Sequence, residues 1–185
     1  MITIRPFEFS DIITVTKIIN DEIGENYYSE NELHLFISNK NYIGYVACFD
    51  SKIIGFGISH IDTISQIIDI TIADELNSFF KYSQTIGCIK TIAINKISQK
   101  QGIGSLICKA MMRDFNEKNV DAIIVTAWEI GDKVNSDKML NLFELKKICE
   151  IPEYWKNDSL IKNYDCSICG NPPCLCKAVI YGKIL

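Results

Sequence analysis

The feature that most restricts the fold of this chain is an apolar segment that leads, through a short polar loop, into an amphipathic helix. Residues 88–94 are mostly apolar, as expected of a buried strand. Polar residues follow at 95–101, and apolar residues then recur at helical spacing from 102 to 117. The sequence therefore predicts a strand, a tight loop and a helix in direct succession.

The loop between this strand and this helix has the composition of an anion-binding site. The first turn of a helix carries backbone N–H groups without partners, and the helix dipole adds positive partial charge that stabilises phosphates. Gly102 and Gly104 allow the backbone to approach a diphosphate closely. Gln99 can hydrogen-bond across the loop, and Lys100 adds a positive charge. An ordinary strand-to-helix turn that happens to contain two glycines remains the alternative.

The rest of the sequence predicts strands and helices on either side of this unit. A stripe of apolar residues after Ser10 and a capping box at Ser29 and Glu32 predict two helices near the N-terminus. Residues 62–85 are interpreted as an insertion, strand-like at 67–72 and helical at 74–82. Further strands are expected at residues 2–5, 43–49, 52–61, 122–127, 148–152 and 178–184, and a further helix at 136–147.

The length and the net charge of the chain limit the classes of protein to which it can belong. The chain has 185 residues and a formal net charge of −4, which suits one domain, residues 1–185, with a real hydrophobic core. No block of lysine and arginine indicates a nucleic-acid partner. No apolar stretch reaches the roughly 20 residues that span a bilayer, and the N-terminus lacks the pattern of a signal peptide. We therefore expect a cytoplasmic protein without nucleic-acid or membrane partners, as a monomer or a homodimer.

The motif at residues 99–104, Gln-Lys-Gln-Gly-Ile-Gly, resembles the central motif of the GCN5-related N-acetyltransferases, Gln/Arg-x-x-Gly-x-Gly/Ala. The order of elements is also similar over about residues 1–150. The resemblance implies an α+β fold with a mixed, mostly antiparallel central sheet of six to seven strands flanked by helices. In that fold two adjacent parallel strands splay apart, and here they would be residues 88–94 and 122–127.

The same resemblance implies an activity and a set of cofactor contacts. The enzymes of this family move an acetyl group from acetyl-CoA to a primary amine, here of a small molecule or of a peptide or protein, by direct attack on the thioester. The motif strand would run beside the pantetheine arm, and the loop would hold the pyrophosphate. Asn135 would contact the cofactor arm, unless it is an ordinary helix cap. The other implied cofactor-binding residues are Ile92, Ala93, Ile94, Gln99, Lys100, Gln101, Gly102, Ile103, Gly104 and Ser105.

Three residues are candidates for proton transfer. Glu129, just beyond an apolar strand, and His60, near the end of the hairpin, can act as general bases, although a solvated carboxylate and a structural histidine are the plainer interpretations. Phe143 stands where many members of the family have a tyrosine that protonates the leaving thiolate. Either Tyr154 or water would then do so, or the thiolate leaves unassisted. This departure keeps open a CoA-binding sensor without catalysis.

Four cysteines crowd near the C-terminus, which the typical family pattern does not include. Cys166 and Cys169 precede a glycine as in a zinc knuckle, and Cys174 and Cys176 complete four sulfur ligands. Sulfur-only coordination favours a structural Zn²⁺ within residues 164–178. A labile redox set, free thiols or an iron site are the alternatives, and a zinc-stapled interaction module on the same fold is a further functional possibility.

Overall fold

A mixed β-sheet runs through the protein and separates two layers of helices. The structure is a computed structural model that describes residues 1–68, 74–131 and 133–185. Its strands are β1 (Ile2–Pro6), β2 (Tyr42–Phe49), β3 (Lys52–Asp62), β4 (Ile86–Ile94), β5 (Ala122–Ile130), β6 (Lys133–Val134), β7 (Lys146–Ile151) and β8 (Ala178–Ile184). Its helices are α1 (Ile12–Glu22), α2 (Glu30–Ser38), α3 (Ile64–Ile67), α4 (Asp74–Phe80), α5 (Ile103–Glu117), α6 (Asp137–Leu142) and α7 (Lys156–Lys162).

The sheet is antiparallel except for one pair of strands. Its order is β1-β2-β3-β4-β5-β8-β7, and β6 adds a short antiparallel pairing to the end of β5. The strands β4 and β5 are parallel neighbours, because helix α5 connects them as a crossover. The mixed, mostly antiparallel sheet flanked by helices that the sequence predicted is therefore confirmed, with seven strands along the main path.

Successive side chains along each strand point to opposite faces of the sheet, so each face has its own hydrophobic core. Helices α5 and α6 cover one face, where Ile107, Met111 and Leu140 pack against β4, β5 and β8. Helices α1 and α2 cover the opposite face over β2 and β3. Helix α4 and the residues before α7 extend that second layer over β4, β5 and β8. Both layers are needed because the central strands are apolar on both faces.

The predicted N-terminal capping of α2 is present. The hydroxyl of Ser29 accepts a hydrogen bond from the backbone N–H of Glu32 at 3.2 Å, and the Glu32 carboxylate accepts one from the Ser29 backbone N–H at 2.8 Å. The sequence therefore located this helix start correctly, because a capping box is a local arrangement of neighbouring residues.

The predicted helix at 136–147 is too long. Helix α6 ends at Leu142, and Glu144 takes a left-handed backbone conformation with φ of 58°. Strand β7 then begins at Lys146, two residues before the predicted strand. The chain leaves the helix because Leu145 is buried in the core under α5, and pairing with β8 continues the sheet.

The described part of the insertion at 62–85 contains two short helices, α3 and α4, joined to the sheet by turns. Residue Ile67 ends the short helix α3, so the strand expected at 67–72 does not begin there, and residues 69–72 lie outside the described residues. Helix α4 occupies the second half, as the sequence predicted. Helix α7, by contrast, was not predicted.

Within the described residues, every helix is too short or too polar to cross a lipid bilayer.

Candidate active site and thiolate cluster

The predicted anion-binding loop has the geometry that its sequence indicates. Gly102 caps the N-terminus of α5 with a left-handed backbone conformation, φ of 79°, which favours glycine. A Cβ atom at Gly102 would meet no other atom within 4 Å, and one at Gly104 would only touch the Ile92 side chain at 3.7 Å. The first turn of α5 is therefore open, and its backbone N–H groups face space that a diphosphate can fill.

The side chain of Gln99 fixes the shape of this loop. Its amide nitrogen donates hydrogen bonds to the backbone oxygen of Ile94 at 2.9 Å and to the carboxylate of Glu22 at 2.7 Å. The backbone N–H of Lys96 donates to the other carboxylate oxygen of Glu22 at 2.7 Å. The expectation that Gln99 bridges the loop is thus met, but its carboxylate partner on α1 was not predicted.

The parallel strands β4 and β5 separate beside this loop. Their pairing covers only Ile86–Ile89 and Ala122–Val125, whereas β4 continues to Ile94 and β5 to Ile130. Lys90 is skipped in the pairing of β4 with β3, so a bulge lies at the point of separation. Beyond it, the described parts of β4 and β5 form no ladder with each other, so backbone groups between Lys90 and Ile94 and at the start of the free part of β5 are available to a ligand.

Polar side chains line the face of this gap that lies opposite α5. The hydroxyl of Tyr28 shares a hydrogen bond with that of Thr91 at 2.7 Å, and both are buried. Tyr154 projects over the far side of the gap, where burial raises the pKa of its hydroxyl and the nearby hydroxyl of Thr126 offsets part of that rise. Both tyrosines therefore keep their protons at neutral pH.

His60 lies on the same face, at the closed end of the gap. It stands opposite Cys88 of β4 and stacks on the ring of Tyr42, with 5.2 Å between ring centroids. Burial, helped by the charge of Lys90, lowers the pKa of His60 to about 4. The ring is therefore neutral at physiological pH, and its buried Nδ1 atom has no hydrogen-bond partner among the described residues.

Glu129 does not join this group. It shares a face of β5 with Ala127, which packs on the α5 side, and its carboxylate forms an ion pair with Lys177 at 2.6 Å. The ammonium group of Lys177 also contacts Glu150 at 2.7 Å. Of the three candidates for proton transfer, the structure thus brings His60 and Tyr154 to one face and leaves Glu129 on the other.

Two other predicted positions lie near α6. Asn135 is exposed and directly precedes Ser136, which is the residue at the N-cap of α6, so Asn135 is not itself the cap. Phe143 follows the helix and packs its ring against the core under α5. It offers no proton to a leaving group.

The four C-terminal cysteines converge. The Sγ atoms of Cys166, Cys169, Cys174 and Cys176 all lie within 4.8 Å of one another. Cys176 is 3.8 Å from Cys166 and 3.3 Å from Cys169. A tetrahedron of sulfurs at a Zn–S distance of about 2.3 Å has edges of about 3.8 Å. The cluster is therefore close to the size that a Zn²⁺ ion requires.

Donors around the cluster are arranged for anionic sulfur. The backbone N–H of Ile168 donates to the Cys166 sulfur at 3.5 Å inside a tight turn that Gly170 closes with φ of 78°. Burial raises the pKa of the Cys176 thiol well above its usual range, and the neighbouring indole N–H of Trp128, which has no nitrogen or oxygen acceptor among the described residues, offsets part of that rise. Burial raises the pKa of Cys174 to about 11, so this thiol keeps its proton at neutral pH unless a cation displaces it.

Comparisons with known proteins agree with this geometry. No protein-family model and no curated protein matches the sequence. Among solved structures, Arabidopsis thaliana NAA60 in complex with a bisubstrate analogue aligns with a TM-score of 0.71 at 12% identity, over 100% of this chain and 98% of that one. The ribosomal-protein-S18-alanine N-acetyltransferase of Escherichia coli gives 0.65 at 12%, over 100% and 94%. The polyamine N-acetyltransferase of Drosophila melanogaster gives 0.65 at 8%, over 100% of both chains.

The chain therefore has the fold of the GCN5-related N-acetyltransferases, as the motif at residues 99–104 predicted. At these identities the likeness concerns the fold. The splayed strands and the open first turn of α5 are the two local features of this fold that bear on ligand binding.

Sequence reasoning missed several residues at this site. Tyr28 and Thr126 contribute hydroxyls to the gap beside Thr91, which the motif strand had already placed there, and Glu22 anchors the loop. Two adjacent tyrosines just before the capping box at Ser29 were the available signal for the first of these. The others come together only through the pairing of distant segments.

The burial of a neutral His60 predicts how the free energy of unfolding changes at acid pH. Its pKa is about 4 in the folded protein and about 6.5 when unfolded, so the unfolded chain binds more protons as the pH falls through this window. Between pH 7 and 4.5 the free energy of unfolding should drop by about 2 kcal/mol more in the wild type than in His60→Gln. Urea unfolding at both pH values measures this. The exposed His34→Gln serves as control, and an equal pH dependence in His60→Gln would contradict the assignment.

Proposed function

We propose that the protein is an N-acetyltransferase that moves an acetyl group from acetyl-CoA to a primary amine. The observation that carries this proposal is the gap between β4 and β5, with the open N-terminus of α5 at its mouth. The unpaired backbone edges suit an extended, amide-containing ligand arm, and the helix terminus suits its diphosphate.

The residues that would hold the cofactor are those of the motif strand and loop. The backbone of Ile92, Ala93 and Ile94 offers hydrogen-bonding groups to the pantetheine arm. Lys100, exposed beside the first turn of α5, adds positive charge. The backbone N–H groups for the pyrophosphate would be those of Gln101, Gly102, Ile103, Gly104 and Ser105, and Asn135 lies near α6 for a further contact.

The structural neighbours support a primary amine as the acceptor. Their names mention an alanine of a ribosomal protein and polyamines, so proteins and small molecules both occur among acceptors on this fold. One neighbour, Arabidopsis thaliana NAA60, is described in complex with acetyl-CoA. We therefore assign the acceptor of this chain to the class of primary amines, small or peptidic.

The two groups proposed for proton transfer lie on one face of the gap, opposite α5. Bound acetyl-CoA would supply an activated thioester carbonyl at the splay. The neutral ring of His60 has a lone pair that can accept a hydrogen bond from the incoming amine or from a water on it, but its pKa of about 4 makes it a weak base that can take a proton only from the acidic ammonium formed when the amine attacks. The hydroxyl of Tyr154 keeps its proton at neutral pH and can donate it to the departing sulfur. Glu129 stays a candidate base only if its ion pair with Lys177 opens. We expect this activity in the cytoplasm, in a monomer or homodimer that needs neither nucleic acid nor membrane.

The proposed activity predicts release of a free thiol from acetyl-CoA when a primary amine is supplied. Gly104→Glu should abolish acetyl-CoA binding, because its carboxylate would occupy the phosphate position at the N-terminus of α5. Gly104→Ala is the matched control and should bind normally, since its Cβ only touches Ile92 at 3.7 Å. Thiol detection over an amine panel and calorimetry with acetyl-CoA measure the two effects.

The same measurements separate the alternatives. Phe143 at the usual tyrosine position favours, as a second candidate, a CoA-binding sensor without catalysis. Binding of acetyl-CoA without turnover on any amine would support that sensor. Absence of binding in the wild type would exclude both functions and leave an interaction module.

The role assigned to Tyr154 predicts a selective loss of turnover. Tyr154→Phe removes the only proton that this ring can donate, so kcat should fall by about 10² while the Kd for acetyl-CoA stays unchanged. Steady-state kinetics and calorimetry measure the two quantities. The exposed Tyr82→Phe is the control. An unchanged kcat in Tyr154→Phe would mean that water protonates the thiolate or that it leaves unassisted.

We infer that Cys166, Cys169, Cys174 and Cys176 bind a structural Zn²⁺. The spacing of their sulfurs and the unpaired indole N–H of Trp128 support this assignment. A site closed by four thiolates has no open position for substrate, so its role is to hold the C-terminal segment together.

Purified protein should therefore contain about one equivalent of zinc under reducing conditions. Cys176→Ser should lose it, because three thiolates no longer close the site, whereas Cys149→Ser on β7 should keep it. Elemental analysis decides between metals, and less than half an equivalent of zinc would contradict the inference. An intact protein mass that is lower than expected by two hydrogens for each pair of cysteines would indicate disulfide bonds instead of a metal.

A further inference from the structure

Glu22, the last residue of α1, is part of two sites at once. Its carboxylate accepts the Lys96 backbone N–H and the Gln99 side-chain amide, both at 2.7 Å, so it holds the cofactor loop from outside the motif. Its backbone oxygen accepts a hydrogen bond from the hydroxyl of Ser167 at 3.3 Å. Ser167 lies between the first two cysteines of the thiolate cluster.

The cysteine loop pairs with the end of α1 over several residues. The backbone N–H of Ser167 donates to the oxygen of Ile23 at 2.9 Å, and that of Asp165 donates to Glu25 at 3.0 Å. The C-terminal segment thereby satisfies carbonyl groups that the end of the helix leaves without intrahelical partners.

Gly24 shows how closely the two segments pack. Its φ is +152°, and a Cβ atom there would lie 1.5 Å from the backbone oxygen of Asp165. Only glycine fits between the end of α1 and the cysteine loop. A shift of the cysteine loop must therefore move the end of α1, and with it the carboxylate of Glu22.

We propose that Glu22 is a positioning residue that couples occupancy of the four-cysteine site to the affinity of the loop for acetyl-CoA. A cation bound by the four sulfurs fixes residues 165–167 against α1, and Glu22 then holds Lys96 and Gln99 in the geometry that leaves the first turn of α5 open. This inference rests on the proposed function, both on acetyl-CoA as ligand and on the metal.

Coupling of this kind is reciprocal. If the metal tightens acetyl-CoA binding by some factor, acetyl-CoA must tighten metal binding by the same factor. Couplings between sites in proteins are typically on the order of fivefold or more, which calorimetry resolves.

The variant that isolates Glu22 is Glu22→Gln. A glutamine side chain has a single acceptor oxygen and would turn its own N–H₂ group towards one of the two donors, Lys96 or Gln99, so one of the two hydrogen bonds is lost. Asp21→Asn removes the same charge from the neighbouring, exposed position and is the matched control.

The deciding experiment measures the Kd for acetyl-CoA with zinc-loaded and chelator-stripped protein, for the wild type and both variants. In the wild type and Asp21→Asn, stripping should weaken binding by about fivefold or more. In Glu22→Gln, zinc-loaded protein should already bind about tenfold more weakly, and stripping should add little, because the connection is broken. Equal and additive effects of stripping in all three proteins would overturn the coupling.

Two outcomes need separate treatment. Wild-type protein that does not bind acetyl-CoA at all refutes the proposed function rather than the coupling. If circular dichroism shows that stripped protein unfolds, zinc release to a chelator from folded protein decides instead. At equilibrium with the chelator, acetyl-CoA should then raise the zinc affinity of the wild type by about fivefold or more and leave that of Glu22→Gln nearly unchanged, and no effect on the wild type would overturn the proposal.

Discussion

The separation of β4 from β5 is the constraint on which the rest of the structure depends. The parallel pairing stops at Ile89 of β4 and Val125 of β5. Both strands continue beyond these residues, but their backbone groups no longer hydrogen-bond to each other. Buried backbone groups without partners are costly, so such a gap persists only where surrounding packing holds it and a ligand or water satisfies it. Packing on both faces of the sheet does this here, with α5 and α6 on one side and the α1–α2 layer on the other.

The two sides of the gap between β4 and β5 differ in their electrostatic character. On the α5 side an open helix terminus offers backbone N–H groups and positive partial charge, which suits an anionic ligand. On the other side lie the neutral ring of His60 and the protonated hydroxyls of Tyr28 and Tyr154.

The four cysteines lie in the segment between α7 and β8. This segment buries few large apolar side chains apart from the cysteines and Tyr164. Because so small a core contributes little, the metal site that we propose would help to hold the segment against α1. Its contacts with α1 bring it within one residue, Glu22, of the loop before α5, and the proposed coupling rests on that arrangement.

Local features were determined by the sequence alone. The loop motif at residues 99–104, the capping box at Ser29 and the crowding of the four cysteines depend on neighbours along the chain, and each was recognised without the fold. The tertiary structure alone decided the end of α6, the pairing of Glu129 with Lys177, and the anchoring of the loop by Glu22. These depend on contacts between residues that lie tens of positions apart, which spacing along the chain does not encode.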